Sequence, residues 1–275
     1  MVDRFRGDGG VALAPPETPG HRAGGTLDGV RAALETGYFD ELGVSTLWIS
    51  PVYENPKGLL EGRDGQLYEG YHGYWPLASR VVEPQIGGEA ALHALIQAAH
   101  ARGIAVLFDF VPNHVHDENE RYLQHASDGW FNDGPATCVC GTSGCGWDQH
   151  IQTCWFADYL PDVRWQSDEA MKTTLDDVRF WMDTFDADGI RIDAVPMMPR
   201  LATRRMALAL RESHAPREAL FSIGEVFTGA GKEGTDAMRY FLGPDGLGGA
   251  FDFPLAWALR GSIAQGNAAG FEDIE

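Results

Sequence analysis

An alternation constrains this chain more than any other feature: short, unbroken apolar runs are separated by segments with helical spacing. Val44–Pro51 reads as a buried strand, being β-branched, aromatic and brief. Gly88–Arg102 carries Leu92, Leu95, Ile96 and Ala99 at i, i+3, i+4 and i+7, the apolar face of a helix. Gly103 stops it, and Ile104–Val111 is again strand-like. Met171, Leu175, Val178, Met182 and Phe185 form a second helical stripe, followed by the buried run Gly189–Val195. The same reading predicts a helix over Arg200–Ser213, a strand over Ala219–Val226 and a helix near Thr235–Leu242. A strand at Gly249–Phe253 and a helix over roughly Leu255–Ala264 complete it.

Strands apolar on both faces, each followed by a helix, call for βαβ crossovers and a parallel sheet. With Val2–Arg4 as the tail of a first strand, about six strands are present, near residues 2, 44, 104, 189, 219 and 249. A closed (β/α)8 barrel needs eight, and residues 112–165 go into one irregular segment, too long for an ordinary connection. The predicted fold class is therefore α/β, an incomplete (β/α)8 TIM-type barrel with an insertion after strand 3. Residues 1–111 would carry barrel strands 1–3, residues 112–165 the insertion, and residues 166–275 barrel units 4–6. A hydrophobic content of 44% over 275 residues supplies a core and excludes wholesale disorder.

The charge balance narrows the ligand. Against 21 Lys and Arg stand 40 Asp and Glu, a net charge of −19. Nucleic acid and anionic membranes require a basic face, so neither is expected as a partner. No run of 18 apolar residues would span a bilayer. A neutral or cationic ligand fits, and nothing in the sequence indicates an oligomeric state. Met1–Phe5 lacks the basic and apolar regions of a signal peptide, and Gly270–Glu275 has no chain-ending character. Both ends are expected to be cuts within a longer chain.

All four cysteines, Cys138, Cys140, Cys145 and Cys154, fall in the insertion. Their spacing does not match paired C-x2-C zinc ligands. An excursion without a core of its own gains most from crosslinks, so two disulfides are favoured over a metal site or free thiols, with three connectivities open. Disulfides imply an oxidising compartment, hence a secreted or periplasmic protein.

In parallel α/β sheets, function collects at the C-terminal ends of strands. There the chain places Asp109, the pair Arg191 and Asp193 on one strand face, and Glu225. Two chemistries use such a set: glycoside hydrolysis between two carboxyl groups, and enolisation on a carboxylate-bound Mg²⁺. The stretch Gly70-Tyr71-His72-Gly73-Tyr74-Trp75 decides between them. Aromatic rings interleaved with a histidine suit sugar faces, whereas small phosphorylated acids want Arg, Lys and helix N-termini.

These segments resemble the α-amylase superfamily, glycoside hydrolase family 13, in several motifs and in the family's order. Asp109–His114 is similar to its first motif, Gly189–Ala194 to its second and Gly224-Glu225-Val226 to its third. Leu160-Pro161-Asp162-Val163 resembles the short motif closing the family's domain B, which would be the insertion. Asp3-Arg4-Phe5 is similar to the end of the family's first strand, and Tyr71–Trp75 to its Tyr-His-Gly-Tyr-Trp stretch.

The resemblance implies a retaining α-glucan hydrolase acting on α-1,4 bonds of starch or maltodextrins. Asp193 would be the nucleophile and Glu225 the general acid/base. Arg191 would keep Asp193 ionised, with Asp109 as its structural partner. His72 and His114 would hydrogen-bond the sugar at the cleavage point, Tyr74 would stack beneath it, and Trp75 would pack. Asn113, Asp162 and the carbonyl of Met197 would ligate a structural Ca²⁺ that clamps the insertion to the barrel. Pro196–Pro199 stands where many members carry Lys-His on the acceptor side. Transglycosylation on the same fold is the alternative, and a non-catalytic sugar-binding fragment a further one. The family's fourth motif, with its third catalytic carboxylate, is expected beyond Glu275, so the chain ending there is expected to be inactive alone.

Overall fold

Five strands pair in parallel in the order in which they occur along the chain. They are β1 (Thr46–Ile49), β2 (Ala105–Phe110), β3 (Gly189–Ile192), β4 (Phe221–Gly224) and β5 (Gly249–Ala250). The structure is a computed structural model and describes residues 1–62, 64–134, 138–213 and 221–266. Strand β2 is buried from Val106 to Phe110 and β3 throughout, as apolar runs covered on both faces must be.

Helices cover the sheet between strands. Helix α1 (Leu27–Glu35) precedes β1, α2 (Gly88–His100) leads into β2, and α3 (Asp168–Phe185) into β3. Helix α4 (Arg200–Ser213) and α5 (Gly231–Arg239) precede β4 and β5, and α6 (Phe253–Gln265) follows. The predicted face of α2 is the buried one: Leu92, Leu95, Ile96 and Ala99 are sealed in the core. Helix starts are fixed locally. The side chains of Thr26, Ser167 and Asp252 accept from the N–H groups of Gly29, Ala170 and Leu255.

Several expectations about strands change. Val2–Arg4 is a 3-10 turn rather than a strand end, because the Asp3 carboxylate accepts from the N–H groups of Ala23 and Gly24 and pulls the chain into a loop. The described sheet therefore has five strands where about six were expected. The run Gly189–Val195 stops at Ile192: Ala194 takes a left-handed conformation (φ 48°) and Val195–Met197 form a 3-10 turn. Gly249–Phe253 is cut short because Asp252 caps α6 and Pro254 suits its first turn. Ala219 and Leu220 of the predicted fourth run lie outside the described residues.

The insertion leaves β2 and returns to α3 through a narrow neck. Val163 N–H donates to Asn113 O (2.8 Å) and Val115 N–H to Pro161 O (3.1 Å), an antiparallel bridge that brings His114 opposite Asp162. Beyond the neck lie two short helices, Glu120–His125 and Trp147–His150. Among the three open connectivities the structure pairs Cys138 with Cys145 and Cys140 with Cys154. Three of these sulfurs' residues are buried in a small cluster with Met197, and Ala194 packs against it. The crosslinked knot thus rests on the segment that follows β3.

Candidate active site

Strand register brings the charged residues together. Asp109 on β2 is the pairing partner of Arg191 on β3. Just past the strand ends, Asp193 N–H donates to Phe110 O and Glu225 N–H to Ile192 O, both at 2.9 Å. Because alternate residues share a face, Arg191 and Asp193 project to the same side as Asp109, and Glu225 joins them from β4.

One guanidinium binds all three carboxylates. Arg191 Nη1 lies 2.6 Å from Asp109 Oδ1 and 2.6 Å from Asp193 Oδ1, and Nη2 lies 3.0 Å from Glu225 Oε2. The Arg191 side chain is 4% exposed, and the rings of Trp48, Tyr74 and Phe251 stand 5.3–5.7 Å from it. Tyr74 donates its hydroxyl to Asp109 Oδ2 (2.7 Å), and Trp48 Nε1–H donates to the same oxygen (3.1 Å).

Burial sets the proton affinities. It raises Asp109 to about 7 against the pull of Arg191. Burial also raises Asp193, again opposed by Arg191, and raises Glu225, helped by the negative charge of Asp193. One cation cannot balance three desolvated carboxylates, so the cluster gives up its protons less readily than free carboxylic acids do. Glu225, the most exposed of the three, is placed to give its proton outward.

The aromatic stretch completes the mouth. His72 Nδ1 accepts from the Tyr74 N–H (2.9 Å), its ring stacks on Tyr74, and it meets Trp75 edge-on at 4.5 Å. Trp75 is buried, as its packing role requires. His114 Nε2 bonds the carbonyl of Tyr74 (3.0 Å), which leaves its buried Nδ1 without a partner. Burial lowers both histidines to about 4, so each is neutral at ordinary pH and can donate through one nitrogen while accepting through the other.

A second polar centre lies at the neck. Asp162 is completely buried and has two amide donors, Asn113 Nδ2 (2.5 Å) and Asn132 Nδ2 (2.6 Å). Burial drives its carboxyl well above the usual range. Asn113 Oδ1 is buried with no partner, and the Asn113 amide lies 3.8 Å from Met197 Sδ. Among the described residues no group of three or more His, Cys, Asp or Glu is gathered around a metal position. The set here has one carboxylate, the amide oxygen of Asn113, and the Gln152 carbonyl, which accepts from the same Asn132 amide that binds Asp162. A buried carboxylate beside an orphaned amide oxygen fits a hard cation that prefers oxygen.

Sequence reasoning missed several members of both centres. Ala194 N–H donates to Glu225 Oε2 (3.1 Å), which its left-handed backbone makes possible. Trp48 could have been found, since it lies on a strand whose end faces the mouth. Asn132 also donates to the carbonyl of Gln152 (3.3 Å), which brings one more oxygen near Asp162; no spacing signals either residue.

The model of the alpha-amylase catalytic domain matches residues 3–221. The chain is 31% identical over 249 residues to a cyclomaltodextrin glucanotransferase of Niallia circulans, covering 86% of this chain and 33% of that protein. It is 29% identical to an alpha-amylase of the same organism, covering 89% of this chain and 47% of that one. Among solved structures, the alpha-amylase of Geobacillus thermoleovorans complexed with acarbose superimposes with a TM-score of 0.76 at 27% identity, over 94% of this chain and 52% of that one. The gamma-cyclomaltodextrin glucanotransferase of the alkalophilic Bacillus clarkii gives 0.76 at 27%, over 97% and 40%. The chain thus spans from a third to half of the length of these relatives.

Proposed function

The chain belongs to the alpha-amylase catalytic-domain family, and from that premise we propose that it carries the catalytic centre of a retaining α-glucan hydrolase that cleaves α-1,4 bonds of starch or maltodextrins. The observation that carries this reading is the Arg191 guanidinium bound to Asp109, Asp193 and Glu225 at adjacent strand ends. Inverting enzymes hold their two carboxyl groups about 6.5–9.5 Å apart to admit a water, and retaining ones about 5–5.5 Å. Asp193 and Glu225 are held on one guanidinium, at Nη1 (2.6 Å) and Nη2 (3.0 Å), which supports the closer, retaining arrangement.

In the proposed reaction Asp193, kept ionised by Arg191, attacks the anomeric carbon while Glu225 protonates the departing glycosidic oxygen. Glu225, now a carboxylate, then takes a proton from water, which attacks the glycosyl ester and releases Asp193. Asp109 fixes Arg191, and Tyr74, held by Asp109, presents its ring to the sugar. His72 and His114 bond the hydroxyls as neutral imidazoles. A Ca²⁺, when bound, would contribute rigidity at the neck, held by Asn113, Asp162 and the Met197 carbonyl with Asn132 and the Gln152 carbonyl beside them. The two disulfides support a secreted or periplasmic location. Among the described residues no helix is long and apolar enough to cross a membrane.

Full-length protein carrying Asp193→Asn or Glu225→Gln should lose starch hydrolysis and keep its melting profile. Near-wild-type turnover in either variant would sink the assignment. One observation favours transfer as a second reading: a pocket lined by Pro196, Val226, Phe227, Phe241, Thr228 and Glu233 includes Pro196 of the stretch where many family members carry Lys-His, and Val226, the residue after Glu225. Longer or cyclic glucans formed from maltotriose would establish transfer, and shorter products alone would establish hydrolysis.

A further inference from the structure

The turn that follows β3 joins two parts of the molecule that lie far apart in sequence. On one side it holds Glu225. Ala194 N–H donates to Glu225 Oε2 (3.1 Å), the oxygen that Arg191 Nη2 also binds (3.0 Å), and Val195 N–H donates to the Glu225 carbonyl (3.1 Å). On the other side it meets the crosslinked knot. Met197 is buried in one cluster with Cys140, Cys145 and Cys154, and Ala194 packs against that cluster. Gln152, inside the loop closed by Cys140 and Cys154, donates from Nε2 to the Met198 carbonyl (3.4 Å).

The turn is short and closed on itself. Met197 N–H donates to Ala194 O (2.9 Å) and Met198 N–H to Val195 O (3.1 Å), so a shift at Met197 passes directly to Ala194. Ala194 stands at φ 48° and ψ 41°, a region that is costly for an L-residue and persists only where the surroundings enforce it. The surroundings here are Glu225 on one side and the buried knot on the other. Two bridges remove most of the knot's own freedom to yield.

We propose that Met197, seated against the crosslinked knot of the insertion, is a positioning residue for Glu225: it holds the Ala194 turn in the backbone conformation that aims the Ala194 N–H at Oε2, and so sets the acid/base carboxyl relative to the glycosidic oxygen. The inference rests on the hydrolase reading above and deepens it, giving the insertion's bridges a part in the proton transfer. Met197 acts through Glu225 and not on the sugar. Its carbonyl, assigned above to the cation, belongs to the backbone and is kept whatever side chain replaces the thioether.

General-acid catalysis supplies a readout specific to Glu225. A sugar leaving as an alcohol needs the proton of Glu225, whereas fluoride leaves without one. The test is the ratio of kcat/KM on maltoheptaose to kcat/KM on α-maltotriosyl fluoride, with Ca²⁺ in excess. It is taken in full-length wild type, Met197→Ala, Met197→Leu, Cys140→Ser/Cys154→Ser and Glu225→Gln. Partial misfolding lowers both substrates by one factor and leaves the ratio in place. Glu225→Gln marks the floor. The ratio should fall about tenfold in Met197→Ala and in the cysteine double variant, since displacing a catalytic group by about 1 Å costs up to about 100-fold. Met197→Leu, of similar volume, should recover most of it. An unchanged ratio in Met197→Ala, or in the cysteine double variant should Met197→Ala fail to fold, overturns the positioning role and leaves the hydrolase reading standing. A Glu225→Gln variant with the wild-type ratio overturns the acid/base assignment itself, and the positioning role with it.

Discussion

Replacing Arg191 with methionine tests the electrostatic core of the site. Nη1 touches Asp109 and Asp193 at 2.6 Å each, and the side chains of Arg191 and Asp193 are 4% and 12% exposed. A contact pair at an effective dielectric near 20 is worth about 4 kcal/mol, and about 1.4 kcal/mol is a tenfold change in an equilibrium. Without the guanidinium, Asp193 ionises only at higher pH, so the acidic limb of the activity profile moves up. Glu225 also loses a cation that favours its carboxylate; it stays protonated to higher pH, and the alkaline limb moves up as well. At pH values near 6, kcat/KM on maltodextrin should fall at least about 100-fold, with the optimum displaced toward alkaline pH. Arg191→Lys keeps the charge and loses the two-armed geometry; its profile should be lower with its optimum close to that of wild type. Breaking a buried pair costs about 3–5 kcal/mol of stability, but the position of a limb does not depend on the fraction of active protein. A methionine variant whose bell is uniformly lowered at an unchanged pH would refute the reasoning.

Two further outcomes follow from the insertion. By loop closure the bridges Cys140–Cys154 and Cys138–Cys145, with sequence separations of 14 and 7, are worth about 3 and about 2.5 kcal/mol, so Cys140→Ser/Cys154→Ser should destabilise by about 0.5 kcal/mol more than Cys138→Ser/Cys145→Ser. Equal loss from Cys138→Ser/Cys145→Ser in thermal denaturation would contradict this. Excess EGTA should lower the Tm of wild type by several degrees, while Asp162→Asn should start lower and not respond; a wild-type melt indifferent to EGTA would rule out the cation.

What could be read from residues alone follows from periodicity. Asp109, Arg191, Asp193 and Glu225 stand at the C-terminal ends of unbroken apolar runs, and side chains along a strand alternate sides, so their meeting at one end of the sheet was legible before any coordinates. Helix α4, Arg200–Ser213, matches its prediction at both ends. Where the reading failed, a distant group decided the local backbone. Asp3 bends Val2–Arg4 by binding N–H groups some 20 positions away. Ala194 adopts the left-handed region, costly for an L-residue, and that turn aims its N–H at Glu225; alanine itself signals nothing of the kind. Disulfide pairing and the approach of Asn132 to Asp162 depend on how an irregular loop closes, which no repeat encodes.

The neck at Asn113–Val115 and Pro161–Val163 brings the insertion's two ends side by side, and the excursion between them is stapled internally by its own bridges where it rests on the segment after β3. Such a unit can be exchanged as a cassette. Its length and sequence can drift, or be grafted from a relative, while β2 and α3 keep their register and the carboxylates keep theirs. Under the proposed hydrolase reading, changes in which sugars are gripped can accumulate in the cassette outside the knot while the strand-end carboxylates stay in place.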